Sequence, residues 1–162
     1  MLVPEHSLNT ETLGITGAIY KRLYKVTNDH KYLDKAIGMY QKGYVVKEDY
    51  YNGENYANCL IFKASNTALP SEEQTHWYFF GKKIYSEVID LLQGQISELD
   101  DSDIDKWMYA TLSTSYHAIE DQENYEKYRK LFECSGRLEN WELDTYKDNL
   151  KEIDEALEKI KG

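Results

Sequence analysis

Asp49-Tyr50-Tyr51-Asn52-Gly53-Glu54-Asn55-Tyr56-Ala57-Asn58-Cys59-Leu60 admits two incompatible folds. Asn-Gly is the strongest short-range signal for a two-residue β-hairpin turn, but such a turn needs alternating strands on both sides. Neither flank alternates. Before it, Leu33, Ala36, Ile37, Tyr40 and Tyr44 keep spacings of three and four, and residues 54–63 behind it read as a helix. The reading that satisfies both flanks is a joint between helices, with Asn52 capping the second and Gly53 in its first turn. The chain is then helical throughout.

Working outward, the same periodicity gives seven helices. The first runs from about Thr10 to Val26 behind a cap at Asn9 or Thr10, with Leu13, Gly17, Tyr20 and Tyr24 on one stripe. The second starts after Asn28-Asp29 and the third after Asn52. The fourth opens at Pro70-Ser71, where Ser71 and Gln74 match a capping box. The fifth begins near Ser102 and carries Trp107, Met108, Leu112, Tyr116 and Ile119. The sixth follows Asp121, with Tyr125, Tyr128 and Phe132 inward. The last presents Leu143, Tyr146, Leu150, Ile153, Leu157 and Ile160.

Short turns pair these helices into hairpins, and the hairpins resemble one another. Gly17-Ala18-Ile19-Tyr20 followed by Ala36-Ile37-Gly38-Met39-Tyr40 approximates the tetratricopeptide pattern, though with several residues too many between its halves. Ser113-Thr114-Ser115-Tyr116 and the segment from Tyr125 to Phe132 repeat the scheme more loosely. The expected fold is all-α: a tetratricopeptide-like array of about three helical hairpins plus a C-terminal capping helix. It forms one domain over residues 1–162, with 1–8 as an N-terminal extension.

Composition narrows the function. At 162 residues the chain is long enough to fold around a sizeable core without metal or disulfide. A net charge of −10 repels phosphate backbones and anionic lipid, so neither nucleic acid nor membrane is expected as a partner. The first residues lack the basic and apolar regions of a signal peptide, and two cysteines make no disulfide framework, so a cytoplasmic location is expected.

No motif supplies chemistry. Asp101, Asp103 and Asp105 sit at positions one, three and five of a calcium loop, but Lys106 stands where that loop turns on glycine and Leu112 where it needs glutamate. A solvated loop whose carboxylates favour a helix N-terminus explains the run. Cys59 and Cys134 have no Cys-x-x-Cys partner and read as buried thiols. His6, His30, His76 and His117 form no ligand pair, and no nucleophile has a recognisable setting. No cofactor, no metal and no enzymatic activity are expected.

Fifteen tyrosines remain, enough to pack helices together and also to line a groove. In an array of this kind the first helix of each hairpin faces the concave side. That places Lys21, Arg22, Asn55, Asn58, Tyr109, Ser113 and Tyr116 as the candidate, exposed groove. Asn55 and Asn58 share a helical face and are suited to clamping a peptide backbone or to bonding between helices.

Several ordered segments carry a family likeness: Gly17-Ala18-Ile19-Tyr20-Lys21, residues 36–44, Tyr51-Asn52-Gly53-Glu54-Asn55-Tyr56-Ala57 and Trp141-Glu142-Leu143-Asp144-Thr145. Over residues 11–150 the chain resembles the later part of the TRAFs-binding domain of apoptosis signal-regulating kinases, whose bacterial relatives are fused to effector or immune-like domains. The resemblance implies a non-catalytic regulatory module that binds a protein or peptide, or an effector domain on the same longer chain. No kinase signature is present in these residues. The alternative class is a sensor of a small, nucleotide-derived signal in the concave groove, with Lys21, Arg22 and Lys25 as a local basic pocket.

Overall fold

The computed structural model describes residues 7–136 and 138–162. In chain order its helices are α1 (Thr10–Thr27), α2 (His30–Lys47), α3 (Tyr50–Ala64), α4 (Ser71–Ser97), α5 (Lys106–Ala118), α6 (Gln122–Cys134) and α7 (Asn140–Lys161), with a short 3-10 turn at Asp101–Asp103. No strand occurs among the described residues. Most of the proposed N-terminal extension, residues 1–6, lies outside them.

Small acceptors start most helices. The side-chain oxygens of Asn9, Asp29, Asp49, Asp105 and Asp121 each accept a backbone N–H from the first turn that follows, at 2.8–3.1 Å. These bonds satisfy donors that the helix itself leaves orphaned. The joint therefore falls at Glu48-Asp49, earlier than its sequence suggests. Asp49, not Asn52, caps α3, and Tyr50 to Gly53 form its first turn. Asn52 is needed elsewhere: it is buried, and its side-chain amide donates to the carbonyl of Thr10, 3.2 Å away. Ser71 likewise lies inside α4 rather than capping it. Pro70 takes the cap position, and the amide of Gln74 donates back to the Leu69 carbonyl at 2.7 Å. Ser102 sits in the 3-10 turn, so α5 starts later, behind Asp105.

Helices pack as α1/α2, α3/α4 and α5/α6 hairpins, stacked α2 on α3 and α4 on α5. The first helices of the three hairpins adjoin and form the inner face. Close approach is bought with glycine: a Cβ on Gly17 would stand 2.8 Å from the Tyr40 ring, and one on Gly43 2.6 Å from the Asn52 side chain. One large cluster including Leu33, Tyr40, Leu60, Ile61, Tyr85, Val88, Leu92 and Leu112 forms the core. At its centre, α3 buries 11 of its 15 residues.

The closing helix takes a particular place. α7 lies against α3 and α5, so the lid it makes covers the inner face of the array rather than its far end. It meets α6 through Tyr146, whose ring is 4.9 Å from that of Phe132. No helix among the described residues is long and apolar enough to cross a membrane.

Candidate functional site: the cleft beneath the last helix

Because α7 runs over α3 and α5, polar side chains from four helices meet below it. From α3, the buried Glu54 accepts the Thr111 hydroxyl of α5 at 2.7 Å and the Asn149 amide of α7 at 3.1 Å. The side-chain oxygen Oδ1 of Asn149 accepts from the Asn58 side-chain amide at 3.0 Å, and the Asn58 Oδ1 accepts the Tyr85 hydroxyl of α4. One turn along, the Lys21 ammonium of α1 donates to Asn55 at 3.1 Å, and Asn55 donates to the Tyr51 carbonyl at 3.0 Å. Buried polar groups carry a desolvation penalty unless bonded. This network meets that penalty and ties α1, α3, α4, α5 and α7 to one another.

Burial sets the charges of this floor. It raises the Glu54 carboxyl above its ordinary range, against the pull of the Thr111 hydrogen bond and of Lys21. Burial also lowers the Lys21 ammonium, despite nearby Cys59, Glu152 and Glu54. Tyr85 is raised by the same cause.

Above the floor is a cleft of about 690 Å³. Its polar lining includes Lys21, Arg22, Glu54, Asn55, Thr111 and Asn149, and its aromatic lips are Tyr50, Tyr51, Trp107 and Trp141. The two indoles lie 6.4 Å apart at 35°. The roof is pinned at its edges by Lys25–Glu152, by Lys106–Glu142 at 2.7 Å, by His117–Asp154 at 2.6 Å and by Lys161–Glu120. Glu120 also holds Lys82 at 3.0 Å.

Of the residues expected in the groove, Lys21, Arg22 and Asn55 do line the cleft, although Lys21 is buried rather than exposed. The other four do not. Asn58 is buried beneath the cleft. Tyr109, Ser113 and Tyr116 fall at spacings of four and three on the side of α5 turned to α6. There Tyr116 lies flat on Tyr128 at 5.5 Å, and Tyr109 stacks on the same ring at 6.3 Å. The Ser113 hydroxyl donates to the Tyr125 carbonyl of α6 at 3.3 Å while lying 2.7 Å from the Tyr146 hydroxyl of α7. The cleft side of α5 is instead Trp107, Ala110, Thr111 and Thr114. Sequence reasoning missed Glu54, Thr111 and Asn149. An acid among three asparagines in α3 was the available signal.

The thiols also divide. Cys59 is buried and pushed up to about 11 by desolvation, whereas Cys134, expected inside, is exposed at the last position of α6. Asp101–Asp103 is an exposed turn, Asp105 serves as a cap, and no metal-binding group of three occurs among the described residues.

A family model described as Tetratricopeptide Repeats-Sensor matches residues 1–60, the stretch that contains α1, α2 and most of α3. The likeness is to tetratricopeptide-like helical repeats, in agreement with the hairpin array. No curated protein and no solved structure matches the chain.

Proposed function

We propose that this is a non-catalytic regulatory domain that senses a small molecule in the cleft and relays its occupancy through protein contacts. The observation that carries this reading is the position of α7. Lying against α3 and α5, it takes the path an extended peptide would follow along the inner face and leaves a compact pocket. A volume near 690 Å³ falls within the roughly 300–1,000 Å³ typical of small-molecule sites. Aromatic lips over a few buried polar groups give such a site both affinity and orientation. The word "Sensor" in the description of the matched family supports the same reading.

Tetratricopeptide-like repeats generally mediate protein interactions, which supports a protein partner or an attached effector as the receiver. The resemblance of residues 11–150 to the TRAFs-binding domain supports a place in a stress- or immune-type signalling protein of the cytoplasm. A catalytic reading has less to recommend it, because the acid of the cleft shares its oxygens with Thr111 and Asn149 as a helix-to-helix tie.

The test is a thermal-shift survey of small polar and charged metabolites against the wild-type chain and Thr145→Trp, which fills the cleft from an exposed position on α7. Ligand at about 100 times its Kd stabilises by roughly 2.7 kcal/mol, a shift of several degrees. The reading expects compounds that shift the wild type and leave the variant unmoved. If every compound that shifts one shifts both, or none shifts either, the cleft is not a small-molecule site.

A further inference from the structure

The two ends of the array are finished differently. At the far end α6 turns Glu123, Lys127, Lys130 and Glu133 to solvent, with Leu131 as its single exposed large apolar side chain among the described residues. At the near end α1 turns out Ile15, Ile19, Leu23 and Val26, which are 57%, 51%, 36% and 84% exposed. Spacings of four, four and three place them on one stripe, and Leu8, 69% exposed, extends it just before the helix. Repeat arrays need a polar outer face on their terminal units. An apolar stripe at one end, with a polar rim, marks a contact surface. Along one edge of it stand Glu11 and Arg22, both exposed and neither with an ion-pair partner among the described residues.

We propose that the stripe is a self-association surface on which a second copy docks its own α1, antiparallel, about a twofold axis near residue 17. What selects a second copy as occupant is the self-complementarity of the stripe. In that register Ile15 faces Ile19 of the other copy, and Leu8 faces Val26. Glu11 falls within one residue of Arg22, about 1.5 Å along the helix. A twofold axis lying in the interface across both helices keeps the charged edge on the same side in each copy. Both Glu11–Arg22 pairs therefore form, and the interface is isologous. Parallel pairing would set each apolar residue level with its own copy but put the charged edges on opposite sides, so no Glu11–Arg22 pair would form. A single helix face covers less than the roughly 1,200–2,000 Å² of a stable interface, so the dimer is weak and reversible. The proposal does not rest on what the cleft binds, although Arg22 borders both the stripe and the cleft.

The experiment is sedimentation equilibrium of the full chain from about 1 µM to 300 µM, a range that brackets weak dimers. Four variants accompany it: Ile19→Lys, Glu11→Arg, Arg22→Glu and the double charge exchange. All three positions are exposed, and circular dichroism checks that each variant keeps its helices. Expected are a reversible dimer for the wild type, a monomer for Ile19→Lys, and roughly threefold or greater weakening for each charge reversal. The double exchange should recover most of that loss. A wild-type chain that stays monomeric throughout overturns the proposal, as does a dimer indifferent to Ile19→Lys. A double exchange weaker than either single reversal overturns the antiparallel register.

Discussion

Two glycines on facing surfaces set the spacing of the first three helices. A Cβ on Gly17 would overlap the Tyr40 ring, whereas nothing lies within 4 Å of one on Gly38 in the middle of α2. Overpacking a tight contact costs about 1–3 kcal/mol, while alanine in place of an open mid-helix glycine gains about 0.5–1 kcal/mol. Urea unfolding should therefore show Gly17→Ala destabilised and Gly38→Ala stabilised; equal signs would contradict the packing described. Glu54 gives a second residue-scale prediction. Its folded carboxyl binds a proton more tightly than its unfolded one, so its stabilising contribution is largest at low pH. That contribution falls as pH rises from the ordinary glutamate range through the raised value. Glu54→Gln should lose this slope, and a variant whose stability tracks pH in parallel with the wild type would refute the assignment. The sequence made the polar cluster at 54, 55 and 58 visible. It did not show which member would face cleft, helix or floor, because that turns on the rotation of α3 against α7.

Among the elements, α7 is held differently at its ends and its middle. Its N-terminal turn is tied by Glu142, whose carboxyl is held below its ordinary value by the hydrogen bond from Lys106. Its C-terminal turn is tied by Glu120, drawn down to about 2 by Lys161 and Lys82. Carboxyls lowered by folding stabilise above their ordinary range and lose that effect as pH falls toward the folded value. Acidification from about pH 4.5 toward pH 2 should then free both ends of α7 while protonation favours the buried Glu54 beneath its middle. Trp141, beside Trp107, reports on the N-terminal end. We expect tryptophan emission to change at a higher pH than far-ultraviolet ellipticity, and Glu142→Gln to shift the emission change. Coincident transitions, unmoved by that variant, would rule out separate release of the ends. Helical periodicity was enough to read these elements. The start of α3 was misread because a carboxylate at Asp49 competes successfully for the cap, leaving Asn52 for Thr10. The seat of α7 was not legible either, since an amphipathic stripe says that one face is buried and not against which helices.

At the scale of the molecule, hairpin order follows from local pairing, and that is why the array could be read from spacing alone. The inner face could not, because Glu54 meets Asn149 and Lys25 meets Glu152 across most of the chain's length. One consequence concerns substitution tolerance. α3 touches α1, α2, α4, α5 and α7, and 11 of its 15 residues are buried. A saturation-mutagenesis map scored for folded protein should show a deep, nearly unbroken trough from Asn52 to Phe62, whereas α6 should show the intermittent pattern of a helix with one free face. Drift among descendants of this chain would then be confined to its ends and outer surfaces, with its middle helix preserved as the part that changes last.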